Sequence, residues 1–234
     1  MSLERGTVLV VDGGGRASAL VDKYGESNNV NRIAVIPGND LTGINTNKEV
    51  KNIPSRDGRP ITTTNIPEII EICHEERVTL VDVAQDDAVA AGLVNALIIS
   101  GIPVTGASLA AGQIEWSKKW QREFGTRRNL RQPAYWSGRT LREGDNYINS
   151  QPNIARVVKA DGLALGKGVR FGKTNHEIKL EARTLRRMFP QAARVYLYED
   201  QVRGEEFSSF AICDGENHII IGHAQDHKRV FDHD

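Results

Sequence analysis

Along residues 1–105, short apolar runs alternate with stretches that have helical periodicity. The apolar runs have the length of buried strands, and the periodic stretches have the length of single helices. Strands are predicted at 8–11, 33–36, 78–83 and 102–104, and helices at 17–23, 66–76 and 87–100. Because strand and helix alternate, this part is predicted to be a Rossmann-like α/β domain, with a parallel sheet that presents its ligand face at the carboxyl ends of the strands.

The pattern changes after residue 105. A helix predicted at 108–124 precedes a poorly periodic segment at 125–152. A second amphipathic helix and three strands follow, at 176–189, 195–199, 207–213 and 218–222. Region 106–234 is therefore predicted to be an α+β unit. Within the first unit, the polar segment 41–60 is predicted to be a loop with one short strand.

A loop rich in glycine and lysine lies between two strand-like runs of the second unit. Its residues of interest are Lys159, Gly162, Gly166, Lys167 and Gly168. Glycines let the backbone approach a ligand closely, and lysines supply cations, so the loop predicts a phosphate site and a nucleotide ligand. It is not a Walker A loop, because Val169 stands where that motif requires Ser or Thr. The alternative is a glycine-rich β-hairpin with solvated lysines.

A second glycine turn follows the first predicted strand and precedes a helix, with the sequence Asp12-Gly13-Gly14-Gly15-Arg16. The dinucleotide fingerprint fails here, because Ser18 stands where a third glycine or alanine is required. Free N–H groups at the helix start, with Arg16 beside them, nevertheless predict a phosphate site. A tight turn without a ligand is the alternative.

Two polar runs near the end of the chain also carry candidate chemistry. Segment 198–206 places four acids after a strand, where they would hold ribose hydroxyls or magnesium, and a solvated acidic turn is the alternative. Segment 225–229 is dense in hydrogen-bond donors, and a basic surface patch is its alternative. The histidines at 223, 227 and 233 lack metal-ligand spacing.

Composition narrows the class of partner. The 30 lysines and arginines balance the 30 aspartates and glutamates, so no overall field attracts nucleic acid or an anionic membrane. The longest apolar run, at 88–99, is shorter than the ~20 residues of a membrane span. Two cysteines are too few for a disulfide framework, which predicts a cytoplasmic protein. The expected partners are therefore small molecules, with neither nucleic acid nor membrane among them.

Taken in order, these segments resemble the phosphoribosylamine–glycine ligase family of the ATP-grasp superfamily. The strongest parts of the resemblance are segments 158–164, 166–169, 204–206 and 225–230. Weaker support comes from 37–39, 91–94 and 113–118. The resemblance implies a Rossmann-like domain at 1–105 and a partial ATP-grasp unit at 106–234, with a small lobe at about 126–192.

The resemblance also implies an activity, which is the ATP-dependent joining of glycine to phosphoribosylamine in purine biosynthesis through a glycyl phosphate. ATP and Mg²⁺ or Mn²⁺ are the implied cofactors. The implied ATP-binding residues are Lys118, Lys159, Gly162, Gly166, Lys167, Gly168, Glu199, Val202 and Glu206. The implied substrate-binding residues are Gly14, Gly15, Arg16, Pro37, Gly38, Asn39, Asp86 and Lys228. The implied catalytic residues are Lys159, Asp226 and Arg229.

Some features depart from the family pattern. Asp12 stands in the first glycine turn, and Ala84-Gln85-Asp86 stands where the family shows Gly-Pro-Glu, which leaves a carboxylate–amine ligase with a different acceptor as an alternative. The metal ligands of this chain are unknown, because the family's ligands and further sequence lie beyond Asp234. The expectation is therefore a truncated, split or degenerate chain without ligase activity alone. A second chain that supplies the remaining part and a non-catalytic nucleotide-binding module are alternatives.

Overall fold

The computed structural model describes residues 6–225 and residue 227. Its strands are β1 (Gly6–Asp12), β2 (Val30–Pro37), β3 (Glu49–Asn52), β4 (Ser55–Arg56), β5 (Arg59–Pro60), β6 (Val78–Val83), β7 (Val104–Thr105), β8 (Tyr135–Gly138), β9 (Arg156–Ala160), β10 (Val169–Gly172), β11 (Tyr196–Asp200), β12 (Phe207–Cys213) and β13 (His218–Gln225). Its α-helices are α1 (Gly15–Glu26), α2 (Ile66–Glu75), α3 (Asp86–Ala91), α4 (Leu93–Ile99), α5 (Leu109–Trp116), α6 (Lys118–Arg127), α7 (Leu141–Asn149) and α8 (Asn175–Met188).

A parallel sheet of five strands organises the first part of the chain, in the order β3-β2-β1-β6-β7. Strand β1 is central and is buried on both faces. Leu9 packs into a cluster with Ile69 and Leu97, whereas Val10 packs on the other face with Val21. This two-sided burial is typical of doubly wound sheets, and it confirms the predicted α/β fold class.

An antiparallel sheet of four strands organises the next part, in the order β10-β9-β11-β8. Helices α7 and α8 pack on it through Ile148, Ile178 and Leu185, which are fully buried. Trp136 of β8 stacks on Tyr147 of α7 with ring centroids 4.9 Å apart. The sheet and its helices therefore share one apolar core, and strands β9 and β11 carry residues of the site described below.

Strand β8 and helix α7 lie inside segment 125–152, whose poor periodicity predicted neither of these elements. Helix α7 begins at a capping box in which Thr140 and Glu143 exchange hydrogen bonds. Gly144 weakens its helical pattern in the sequence. A side chain at Gly144 is excluded by packing, because a Cβ there would lie 2.0 Å from the Tyr196 hydroxyl.

Two predicted helices are each divided in two. The first breaks at Gly92, whose φ of 89° ends α3 and begins α4. The second breaks at Ser117, which has extended backbone and accepts a hydrogen bond from the Trp120 N–H as the cap of α6. Segment 41–60 holds β3 and the small β4–β5 hairpin in place of the one predicted strand.

Strands β12 and β13 form an antiparallel hairpin. Their predicted positions agree with the structure, except that β13 extends to Gln225. Several large apolar side chains of the hairpin are exposed, among them Phe207, Ile212 and Ile219. Across the part of the chain that the structure describes, none of the helices combines the length and apolar character that a bilayer crossing needs.

Candidate nucleotide and substrate sites

Strands β9 and β10 pair antiparallel, with Lys159 opposite Val169, so the glycine-rich segment is a β-hairpin. Its loop closes tightly, because the Ala160 N–H donates to the Gly168 carbonyl at 2.8 Å. A Cβ on Gly168 would lie 2.8 Å from that of Ala164, and Gly166 has a φ of 73°. These two glycines are therefore required by the loop itself.

Lys159 is not a solvated lysine. Its ammonium group lies 2.7 Å from the Glu199 carboxylate on the neighbouring strand β11. Arg122 of α6 holds the same carboxylate with two hydrogen bonds, from Nε to Oε1 at 2.8 Å and from Nη2 to Oε2 at 2.9 Å. The Glu199 side chain is 2% exposed. The alternative of a β-hairpin with solvated lysines is therefore correct about the hairpin. It is wrong about Lys159, because this lysine is part of a buried ionic cluster.

Electrostatics in this cluster favour an ionised carboxylate. Burial raises the pKa of Glu199, but hydrogen bonds and charges from Arg122 and Lys159 outweigh burial, and the net pKa lies below the ordinary value. Because both carboxylate oxygens are held by cations, the side chain is already occupied. The role of Glu199 in ATP binding stays a prediction.

Lys118 lies at the start of α6, close enough to Lys159 for the two charges to repel. Burial lowers the pKa of Lys118 and the Lys159 charge lowers it further, while the charges of nearby carboxylates, Asp161 first among them, act in the opposite direction. Since Asp161 and Glu199 are held by hydrogen bonds within the protein, the two ammonium groups are the charges of this cluster that suit a polyanion such as a phosphate chain.

Asp161 ties the helix to the loop. Its carboxylate accepts hydrogen bonds from the Ser117 hydroxyl at 3.1 Å and from the Lys119 N–H at 2.7 Å. Its carbonyl accepts one from the Lys118 N–H at 3.3 Å. The start of α6 is therefore fastened to the first residue after β9, which brings Lys118 close to Lys159.

The other residues predicted to bind the nucleotide lie outside the cluster of Lys118, Lys159 and Glu199. Lys167 is exposed in the loop, and Gly162 is fixed by a hydrogen bond from its N–H to the Ala192 carbonyl at 3.0 Å. Val202 and Glu206 lie in the exposed segment after β11. Their contacts with a nucleotide stay predictions, as do those of Lys118 and Lys159.

A second group of predicted residues meets at the carboxyl ends of β1 and β2, where Asp12 and Pro37 are in register. The Asn39 side-chain amide donates to the carbonyls of Gly13 at 3.3 Å and Gly14 at 3.0 Å. Gly38 has a φ of 75° in the same turn. The structure therefore brings the two predicted turns together, as expected for a ligand face of a parallel sheet.

Arg16 is the cation of this second group. Its guanidinium donates to the Ala84 carbonyl and lies 3.6 Å from the Asp86 carboxylate. It also lies 3.9 Å from the carboxylate of Asp12, which is buried and accepts a hydrogen bond from the Gly14 N–H at 2.5 Å. The three predicted segments that contain Arg16, Asn39 and Asp86 are thus neighbours, and the departures at Asp12 and Asp86 both face the arginine.

A cavity of about 240 Å³ lies beside this group, between the end of β6 and helix α5. Its walls include Ala84, Asp86, Glu115 and Trp116. The indole Nε1 of Trp116 is buried and has no hydrogen-bond partner among the described residues. The cavity is therefore a small space beside the turn residues, and Trp116 is one of its walls.

Part of the predicted site cannot be placed. Asp226, Lys228 and Arg229 lie outside the described residues, and so does Asp234, beyond which the family's metal ligands are expected. The roles of these three side chains and the identity of the metal ligands therefore stay predictions. Within 6–225 and 227, no group of three or more histidine, cysteine or acidic side chains is arranged to hold a metal ion.

Comparison with known proteins identifies the family. Residues 6–115 match the phosphoribosylglycinamide synthetase N domain, and residues 116–234 match the phosphoribosylglycinamide synthetase ATP-grasp (A) domain. The chain belongs to the phosphoribosylglycinamide synthetase family. The family resemblance predicted from the ordered motifs is confirmed.

Curated relatives of the chain agree with this family assignment. The phosphoribosylamine–glycine ligase of Streptococcus suis is 35% identical over 233 residues, which cover 97% of this chain and 52% of that protein. That of Archaeoglobus fulgidus is 34% identical over 230 residues, which cover 97% of this chain and 48% of that protein. The chain spans about half the length of the curated relatives it matches.

Solved structures support the fold. The phosphoribosylamine–glycine ligase of Thermotoga maritima has a TM-score of 0.66 at 19% identity, covering 92% of this chain and 48% of that chain. The biotin carboxylase domain of Hydrogenobacter thermophilus 2-oxoglutarate carboxylase, solved with MgADP and bicarbonate, has a TM-score of 0.70 at 14% identity, covering 94% of this chain and 50% of that chain. At these identities the likeness shows the fold alone.

The sequence motifs did not predict the contact of Arg122 or the anchoring role of Asp161. Arg122 follows Lys118 by four positions, so both lie on one face of α6. That spacing was the available signal for Arg122. The contact of Arg122 with Glu199 spans 77 positions and has no local signature.

Proposed function

We propose that this chain takes part in the ATP-dependent ligation of glycine to phosphoribosylamine, which yields glycinamide ribonucleotide, ADP and phosphate. The observation that carries the proposal is the cluster of Lys118, Arg122 and Lys159 beside the glycine loop. Family membership and the names of the curated relatives support it. The proposal includes a division of the chain at 105/106, which is supported by the end of the first sheet at β7, and a small lobe at about 126–192, which holds strands β8, β9 and β10 of the second sheet but not β11.

The reaction needs an activated carboxylate. The glycine carboxylate attacks the γ-phosphorus of ATP, ADP leaves, and a glycyl phosphate forms. The amine of phosphoribosylamine then attacks the acyl carbon, and phosphate leaves as the amide forms. Negative charge builds on the transferring phosphoryl group, and Lys118 and Lys159 would offset it. The loop with Gly166 and Gly168 would cover the phosphates and exclude water from the acyl phosphate.

A divalent cation is part of this proposal as a component of the bound nucleotide. The ATP-grasp structure with MgADP indicates that the fold can take the magnesium nucleotide. Bound with the nucleotide, Mg²⁺ would help to offset the phosphate charge, and the resemblance places its ligands beyond Asp234. The residues of this chain bind and orient the phosphate chain by cationic and backbone donors.

The substrate end of the proposal rests on the two turns after β1 and β2. The N–H group of Gly15 at the start of α1, with Arg16, would take the phosphate of the sugar substrate, and the Gly14 N–H would join them by leaving the Asp12 carboxylate. Gly38 and Asn39 fix the shape of this face through their contacts with neighbouring segments. Asp86 would orient the amine-bearing end of the acceptor.

A second candidate is a carboxylate–amine ligase with a different acceptor. It is favoured by one observation: Arg16 already faces the carboxylates of Asp12 and Asp86, at 3.9 Å and 3.6 Å. A phosphate would compete with both carboxylates for this arginine. The cavity beside Trp116 offers space for another acceptor group.

Two measurements separate these candidates. Calorimetric titration with a non-hydrolysable ATP analogue should show binding by the chain. Lys159→Ala should weaken this binding at least about tenfold. Lys173→Ala, on the exposed turn after β10, is the control and should not weaken it. A coupled assay with glycine and phosphoribosylamine should then detect ADP release once the remaining part of the ligase is supplied as a second chain, and none from this chain alone. Binding without turnover for any amine would favour a non-catalytic module, and turnover with another amine would favour the second candidate.

A further inference from the structure

Arg122, Glu199 and Lys159 form a continuous chain of contacts from helix α6 to strand β9. Arg122 uses two nitrogen atoms on the two carboxylate oxygens of Glu199, at 2.8 Å and 2.9 Å. Lys159 contacts one of those oxygens at 2.7 Å. The Lys159 side chain is 22% exposed, so it reaches the surface of the cluster while the carboxylate behind it does not.

We propose that Arg122 is a positioning residue for Lys159 and acts through Glu199. The inference rests on the proposed function, in which Lys159 binds ATP phosphates. Lys159 carries three N–H donors, and the contact with Glu199 uses one of them. Because the side chain is partly exposed, the other two donors are available to a ligand.

Charge balance explains why a second cation is needed. A buried carboxylate requires a compensating cation at every moment, because its desolvation is costly. Without Arg122, Glu199 would depend on Lys159 alone, and Lys159 would be neutralised and held back from an incoming phosphate. With Arg122 in place, the carboxylate stays paired while Lys159 turns its charge toward the ligand.

The fork of arginine suits this role. Its planar guanidinium fixes the carboxylate with two parallel hydrogen bonds, which a lysine ammonium cannot reproduce in the same geometry. Arg170 provides a matched comparison, because it is also paired with a glutamate, Glu181, but at a place on the sheet separate from the Glu199 cluster. Replacing Arg170 changes the charge of the same sheet without touching the chain of contacts.

A double-mutant cycle tests the route through Glu199. In titrations with a non-hydrolysable ATP analogue, Arg122→Met should weaken binding about tenfold and Arg122→Lys less, while Arg170→Met should change it less than about twofold. In the Glu199→Gln background, Arg122→Met should have an effect below about twofold, because no buried carboxylate remains to capture Lys159. An equal loss in both backgrounds would mean that Arg122 acts directly on the ligand or through overall charge, which overturns the inference.

A readout without nucleotide keeps this inference separate from the proposed function. Acetic anhydride labels free amines, and mass spectrometry gives the labelling rate of Lys159 in the folded protein. Arg122→Met should slow acetylation of Lys159 at least about threefold, since Glu199 then holds the ammonium group more firmly, and Glu199→Gln should restore it. Unchanged labelling overturns the positioning role even if ATP binds. Slowed labelling in a chain that binds no ATP retains the role and rejects the proposed function. Far-UV circular dichroism confirms that each variant is folded.

Discussion

The Ser117 hydroxyl, which caps helix α6, donates a hydrogen bond to the carboxylate of Asp161, 44 positions later, at 3.1 Å. The same carboxylate accepts the Lys119 N–H at 2.7 Å. A helix start is thereby closed by an acid from another element, where an acid also interacts favourably with the helix dipole. This contact sets the position of Lys118 relative to the glycine loop.

Removing this acid should loosen the helix start. Asp161→Ala is expected to lower the free energy of unfolding by about 1–3 kcal/mol, since two donors at the start of α6 lose their acceptor. Urea denaturation measures the change. Asp40→Ala, at an exposed position in the turn after β2, is the control and should cost less than about 0.5 kcal/mol. Equal costs for the two variants would contradict the anchoring role.

The glycine loop should not tolerate a methyl group at Gly168. A Cβ there would lie 2.8 Å from the Cβ of Ala164 and 3.4 Å from that of Ala160. Gly168→Ala is expected to cost about 1–3 kcal/mol of stability and to weaken ATP binding, because the loop must open to relieve the overlap. Gly222→Ala in β13 meets nothing within 4 Å and serves as the control in the same melting and titration experiments. Equal melting temperatures for the two variants would show that the loop has room for the methyl group.

The free energy of unfolding should depend on the ionisation of Glu199 at acidic pH. The pKa of Glu199 is lowered in the folded state, so its contribution is complete above the ordinary glutamate pKa of about 4.3 and is lost as the pH falls through the folded value. The free energy of unfolding of the wild type should therefore fall more steeply below about pH 4.3 than that of Glu199→Gln. Urea titrations at several pH values give both curves, and parallel curves would contradict the expectation.

The phosphate group of a sugar substrate should depend on Arg16. Arg16→Met is expected to weaken the binding of ribose 5-phosphate about tenfold, because a charge-assisted donor is lost at the helix start. Calorimetric titration measures the affinity. Arg56→Met is the control, since Arg56 pairs with Glu71 and Glu75 elsewhere in the structure. Unchanged affinity for Arg16→Met would remove this residue from the substrate site.

The two cysteines should differ in reactivity. Burial raises the pKa of Cys73 to about 12, whereas Cys213 is exposed on the hairpin. At pH 8 the folded protein should expose one thiol to a disulfide reagent, and unfolding should expose the second. Cys73→Ala should leave the fast-reacting thiol count unchanged, and Cys213→Ser should abolish it. Rapid reaction of both thiols in the folded state would contradict the described core.

Local signals predicted much of the fold. The run that forms β6 was located at its observed limits, because its apolar pattern lies within one strand. The split at Gly92 could have been anticipated from glycine alone, whereas the cap at Ser117 depends on Asp161 in another element. Patterns within a single element predicted that element, but they did not predict the contacts between elements.

The candidate site shows the same limit. The turn containing Gly14 was predicted from its glycines at a helix start, and the turn containing Asn39 from the family resemblance. The structure brings the two together. Arg122 was missed because its partner Glu199 is 77 positions away and its role depends on strand pairing. Ionic clusters of this kind depend on register and burial, which short motifs do not encode.

The bridge from Asn39 to the backbone of the glycine turn has a consequence for protein engineering. Because one amide satisfies the carbonyls of both Gly13 and Gly14, the two loops cannot be exchanged independently with those of another enzyme. A graft that replaces either loop alone would remove this bridge, although the Gly14 carbonyl would keep its hydrogen bond from the Ala17 N–H. Transplanting acceptor preference into this scaffold therefore requires both loops to be moved as a single cassette.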